Sequence, residues 1–151
     1  MGRKNLAAKR REDILDAFED CIIERGIQGS SFQHIAGVLG MDRNIISHYF
    51  GNRDALVDAM TQRIVAAYDA RVAGALTNLE PSASVMELVD AFYGQQDVTE
   101  RMEVLWLEIL AYATRSETVR VRLKQSYDNM FAAVGEVLKR RYPNASTQQL
   151  Q

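Results

Sequence analysis

Apolar residues recur at three- and four-residue spacing along almost the whole of this chain, and no stretch alternates apolar with polar as a half-buried strand does. That periodicity restricts the fold to helices packed on helices. Only two prolines, Pro81 and Pro143, punctuate it, so the helices between them can be long. With 151 residues, 47% of them hydrophobic and 25% charged, the chain can form one compact domain, or a small head and a body that share a core.

The helices can be placed by their stripes and stops. Residues 9–25 carry Ile14, Ala17, Phe18, Cys21 and Ile22 on one stripe and end at Gly26. Ser30 and Gln33 have the spacing of a capping box, which starts a short helix with Phe32, Ile35, Ala36 and Leu39 inward and Gly40 as its stop. After Gly40, Met41 and Asp42, the segment 43–49 can form two turns capped by Asp42. Asn52 then caps a long helix. Its stripe, Leu56, Met60, Ile64, Ala67, Tyr68, Val72, Leu76 and Leu79, persists for roughly 27 residues, a rod of about 40 Å.

Past Pro81, Ser84 and Glu87 form a second capping box, and Leu88, Val89, Phe92 and Tyr93 give the inner face of the next helix. A further helix spans 98–114, where residues 104–113 are apolar on all sides except for Glu108, which predicts a fully enclosed central helix. The helix over 117–141 turns Val119, Leu123, Tyr127, Met130, Phe131, Val134 and Leu138 inward. Ser146 and Gln149 have the spacing of a third capping box, which announces another helix just before Gln151. The predicted fold is all-α: a three-helix head over residues 1–53, joined by a long helix to a helical body over 54–151 that looks unfinished at its C-terminus.

Charge and chemistry narrow the function. No run of 18 uncharged apolar residues is present to span a bilayer, and the basic start Met1-Gly2-Arg3-Lys4 leads into a charged amphipathic segment, so the expected location is the cytoplasm. Cys21 is the single cysteine, without a partner for a disulfide or a metal, and reads as helix filler; no metal or cofactor is expected. Catalysis would need an acid, a base and a nucleophile together, whereas His34, His48 and Cys21 are scattered over the head. The net charge is −2, but residues 1–11 hold Arg3, Lys4, Lys9, Arg10 and Arg11 with no acid, and residues 54–151 hold ten Lys or Arg against thirteen Asp or Glu. The basic charge is at one end.

Two short helices joined by a three-residue turn with glycine make a helix-turn-helix unit, whose second helix fits the major groove of DNA. At about 100° per residue, Arg43, Asn44, Ser47 and His48 share one arc, and Ile45, Ile46, Tyr49 and Phe50 the opposite one. Arg43 can donate twice to a guanine edge, Asn44 can pair with adenine, and Ser47 and His48 suit phosphate or base. Arg53 opens the long helix, where a cation is poorly placed for the helix dipole and well placed for phosphate. The competing reading of this polar face is simple solvation on a helical protein-interaction module without DNA binding.

The stretch Ser31-Phe32-Gln33-His34-Ile35-Ala36, then Gly40-Met41-Asp42, then Ile46-Ser47-His48-Tyr49-Phe50-Gly51-Asn52-Arg53-Asp54-Ala55-Leu56, resembles the TetR family of transcriptional repressors, and 45–51 with 54–56 is similar to its BetI-like branch. The resemblance covers about the first 60 residues by motif. It implies that Ser31 and Tyr49 touch the phosphate backbone, that Arg43, Asn44, Ile45, Ser47 and His48 lie against the groove, and that Arg53 takes a phosphate role usually filled by lysine. Met41, Asp42 and Ser47 depart from the family pattern, which leaves the target sequence open.

The resemblance also implies a body that binds a small-molecule effector and forms a homodimer on a palindromic operator, built with two further C-terminal helices. Pairing through the exposed faces of the 98–114 and 117–141 helices is the alternative. Candidate effector residues are Phe92, Tyr93, Trp106, Glu108, Tyr112, Tyr127 and Met130, although stripes of aromatic and Met side chains are more often core. Glu108, a carboxylate in an apolar helix, must be paired, protonated, solvent-facing or cavity-facing; a cationic effector is one partner, with Tyr112 on its face.

Overall fold

The computed structural model describes residues 3–80, 83, 84, 86, 87, 90 and 100–142. Every regular element among them is a helix: α1 (Arg3–Gly29), α2 (Phe32–Leu39), α3 (Arg43–Phe50), α4 (Arg53–Thr77), α5 (Glu100–Ala113) and α6 (Glu117–Arg141). None of these helices is long and apolar enough to cross a membrane.

Local chemistry explains most boundaries. Gly26 breaks the helical geometry of α1 at φ 70° and ψ 167°, a left-handed φ that suits glycine, and one more turn follows to Gly29. Gly40 ends α2 at φ 62° and ψ 34°, its N–H donating to Ala36 O and Gly37 O. Asp42 caps α3 by accepting from Asn44 N at 2.7 Å, and Asn52 caps α4 by accepting from Ala55 N at 2.8 Å, both as the sequence predicts. The expected box of Ser84 and Glu87 is also formed: Ser84 N donates to the Glu87 carboxylate and Glu87 N to Ser84 Oγ at 3.1 Å. Those bonds hold the Glu87 carboxyl below the usual carboxylate range. The inner face expected after it, and the box at 146–149, lie outside the described residues.

One cap differs. Ser31, not the pair Ser30 and Gln33, starts α2, its side chain accepting from His34 N at 3.2 Å. Ser30 is buried and its hydroxyl donates to Gly26 O at 2.8 Å, so it belongs to the end of α1 and leaves the extended capping conformation to its neighbour.

A continuous cluster of buried side chains joins Ile14, Phe18 and Ile22 of α1, Ile35 of α2, Ile46 of α3, Leu56, Met60 and Ile64 of α4, Leu105 and Ile109 of α5, and Val119 and Leu123 of α6. Cys21 is buried within it, and burial pushes its thiol pKa up. Polar ties reinforce the seams: Arg122 of α6 holds Asp58 of α4 by two bonds of 2.5 and 2.9 Å, Arg63 of α4 holds Asp16 of α1 at 2.6 Å, and Arg101 of α5 holds Asp20 of α1 at 2.7 Å.

Two burial expectations are overturned. The helix over 98–114, here α5, is not fully enclosed: Leu105, Ile109 and Ala113 are buried, while Leu107 is 65% exposed. Leu107 lies some 200° round the helix from Leu105, away from the stripe that meets the core. On α6 the buried line runs through Val119, Leu123 and Ser126, and Phe131 is 66% exposed instead of inward.

Candidate nucleic-acid interface

α3 is short, so its orientation depends on what holds each side of it. Ile46 and Phe50, one turn apart, are buried and anchor it to the core. Opposite that anchor stand Asn44, His48 and Ile45, with Arg43 exposed in the first turn and Ser47 and Tyr49 half-buried on the two flanks. The inward arc is therefore narrower than the four residues Ile45, Ile46, Tyr49 and Phe50. It is centred between Ile46 and Phe50, which leaves Ile45 about 120° away and 39% exposed. The resemblance, which sets Ile45 against a groove, fits the geometry better than the apolar arc does.

Two arginines fix the unit from outside. Arg11 of α1 donates through Nη1 to Tyr49 O at 2.8 Å, an acceptor in the last turn of α3, and its guanidinium lies 4.1 Å from the Phe50 ring centroid. Arg53 donates through Nη1 to Ser30 O at 2.7 Å and through Nη2 to Ile27 O. A cation at the start of α4 thus has a structural purpose: it meets carbonyls at the end of α1, where the helix dipole is negative. Ser31 is exposed at the start of α2. Of these groups, Arg11 is marked in the sequence only by its place in an acid-free basic segment.

In the body the effector candidates separate. Trp106 meets Tyr127 edge to face at 6.0 Å between centroids and stacks on Tyr68 at 4.5 Å, and Tyr68 Oη donates to Met130 Sδ at 3.1 Å. In the sequence Tyr68 is one residue of the α4 stripe, and its polar tip is the signal that sets it apart. Glu108 is not in this group. Its Oε2 accepts from Ile27 N at 2.8 Å, which is the pairing a half-buried carboxylate requires and which removes the need for a cationic ligand. Tyr112 is half-buried against the core. Phe92 and Tyr93 lie outside the described residues. Among the described residues no group of three or more His, Cys, Asp or Glu is arranged to hold a metal.

Comparison with known proteins adds an independent line. Residues 14–60 match the family model described as bacterial regulatory proteins, tetR family. The HTH-type transcriptional regulator PksA of Bacillus subtilis (strain 168) is 25% identical over 131 residues, which are 86% of this chain and 62% of PksA, so the chain spans less than two thirds of that relative. The HTH-type transcriptional regulator BetI of Burkholderia thailandensis is 26% identical over 136 residues, 85% of this chain and 69% of BetI. A structure from Saccharomonospora viridis, described as a transcriptional regulator in complex with choline, superposes with a TM-score of 0.78 at 17% identity, covering 95% of this chain and 76% of the other. That last likeness is one of fold.

Proposed function

We propose a function from one premise: through residues 14–60 this chain belongs to the tetR family of bacterial regulatory proteins. On this reading it is a regulator and not an enzyme, and it acts in the cytoplasm as a sequence-specific repressor of transcription that a small molecule releases from double-stranded DNA. Residues 1–53 act as the reading head and residues 54–151 as the effector-binding and dimerisation body.

What carries the reading is a single arrangement. Asn44 and His48 are exposed on the side of α3 opposite the anchor of Ile46 and Phe50, and Arg43 is exposed in its first turn, all inside the segment that the family model covers. Arg43 and Asn44 have the donor and acceptor geometry for guanine and adenine edges. Ile45, Ser47 and Tyr49 border the same groove-facing side, and Ser31 and the guanidinium donors of Arg53 not used on carbonyls approach phosphate. A cationic effector is supported by the choline in the Saccharomonospora viridis structure and by the rings of Tyr68, Trp106 and Tyr127 beside Met130. Phe92, Tyr93 and Tyr112 remain candidates on the sequence alone.

Selection of bound duplexes from a random pool tests the proposal. Binding to the recovered duplex should weaken steeply with salt as counterions are released. Arg43→Ala should lose about 1–3 kcal/mol of discrimination at one base pair, with thermal stability unchanged. Failure to enrich any sequence, or affinity indifferent to salt, would sink the repressor reading and favour a helical protein-interaction module.

A further inference from the structure

We infer that Glu108 is a latch between body and head: a positioning residue that ties the helix-turn-helix to α5, so that a shift of α5 is felt at α2. The inference rests on the DNA-binding reading and extends it to regulation.

The latch is built on the break in α1. Gly26 leaves helical geometry at φ 70°, and the next amide, Ile27 N, donates to Glu108 Oε2 at 2.8 Å across 81 residues of sequence. Glycine is needed there for its backbone conformation, and it leaves room for the carboxylate. Its φ lies in the left-handed region, and a Cβ at that position would stand 2.9 and 3.1 Å from the two carboxylate oxygens of Glu108. The carboxylate therefore sits closely over the kink, not merely near it.

The segment it grips is bonded at both of its ends. Ile27 O accepts from Arg53 and from Ser30 N, the latter at 3.3 Å; Ser30 O accepts from Arg53 at 2.7 Å; Ser30 Oγ donates to Gly26 O at 2.8 Å. Ser31 follows directly and caps α2. From the carboxylate of α5 to the cap of α2 there is thus a short stretch of backbone bonded at Ile27 and at Ser30, held by an acid from α5 on one side and a base from the start of α4 on the other. Two turns earlier, Arg101 of α5 meets Glu19 and Asp20 of α1 at 3.2 and 2.7 Å, which sets the two helices in register. Those surface pairs are screened by water, whereas the Glu108 bond is half-buried and charge-assisted.

A hydrogen bond of this length does not survive an ångström of stretching. When α5 slides or turns, residues 26–31 either follow it, carrying α2 with them, or lose the bond. Trp106, two residues before Glu108 on the same helix, stacks on Tyr68 of α4, so a ligand that separates those rings displaces the element that carries the latch.

Hydrogen–deuterium exchange of the full chain tests this without any DNA. Glu108→Ala should speed exchange across residues 27–39 by about tenfold, the effect of one lost charge-assisted bond, with residues 117–141 unchanged. Glu108→Gln, which keeps an acceptor oxygen in place, should restore most of the protection. Glu108→Asp, which keeps the charge but draws the carboxylate back from Ile27 N by one methylene, should reproduce the localised loss and stands in for Glu108→Ala should that variant not fold. Affinity for a duplex recovered by selection should fall in Glu108→Ala and recover in Glu108→Gln. Unchanged exchange over 27–39, an equal rise over 117–141, or a Glu108→Gln chain no better protected than Glu108→Ala would each overturn the latch. Recovery of no duplex would overturn the DNA reading, while the exchange data would still decide the latch.

Discussion

Arg53 stands at the first position of α4, where a positive charge opposes the helix dipole. Sequence alone suggested a phosphate partner for it, because a surface cation in an unfavourable place invites a functional explanation. The fold supplies a nearer one in the carbonyls of Ile27 and Ser30. Arg53→Ala should therefore lower unfolding free energy by about 1.5–3 kcal/mol, the range for hydrogen bonds to a charged group, and Arg53→Lys should recover only part, since an ammonium lacks the planar fork. Denaturant titration measures both; a loss below about 0.5 kcal/mol, the scale of an ordinary surface substitution, would show that the carbonyl contacts matter little. The same gap between chemistry and neighbours explains Glu108. Its need for a partner was legible in the sequence, but the partner, a backbone amide freed by a kink 81 residues away, was not.

At the scale of elements, α4 and α6 share the Asp58–Arg122 pair. The hydrogen bond from Arg122 holds the Asp58 carboxyl below its usual pKa, against an opposing contribution from burial. Because the folded value is depressed, the pair's contribution is fully present above the unfolded carboxylate value of about 3.9, and it is lost as pH falls through the lower folded value. The stability gap between wild type and Asp58→Asn should thus be widest near neutrality and close on acidification below about pH 4; thermal melts across that range read it, and a gap constant with pH would show that the pair does not link the two helices energetically. Helix starts were legible wherever a cap works locally, as at Asp42, Asn52 and Ser84. The start of α2 was not, because the choice between Ser30 and Ser31 depends on Ser30 being drawn into the end of α1. Helix faces were legible to within about a fifth of a turn. That error was enough to misplace Ile45 and Phe131, whereas Leu107 is exposed because an apolar side of a helix is buried only where another element covers it.

For the whole molecule, the proposed mechanism needs two heads about 34–36 Å apart on the duplex, and hence two copies of the chain. Leu107 of α5 and Val121 and Phe131 of α6 are 65%, 55% and 66% exposed, in keeping with pairing through these helices. Sedimentation at micromolar concentration should show a dimer that Phe131→Glu converts to monomer; an unchanged sedimentation coefficient in that variant would exclude the α6 face as the contact. By itself the sequence determined the all-α class, the helix-turn-helix and its polar face, and most caps, because periodicity, glycine and short polar side chains act within a few residues. The tertiary structure decided which cations and carboxylates are occupied by backbone, how α1 and α5 are joined at Gly26, and which apolar side chains are left outside. These depend on what lies opposite each residue once distant segments meet, and a burial stripe drawn on one helix cannot say how wide its neighbour is. The helix-turn-helix was thus readable from its own residues, while its ties to α5 through Ile27 and Glu108, and to the start of α4 through Arg53, depend on all three segments being in place.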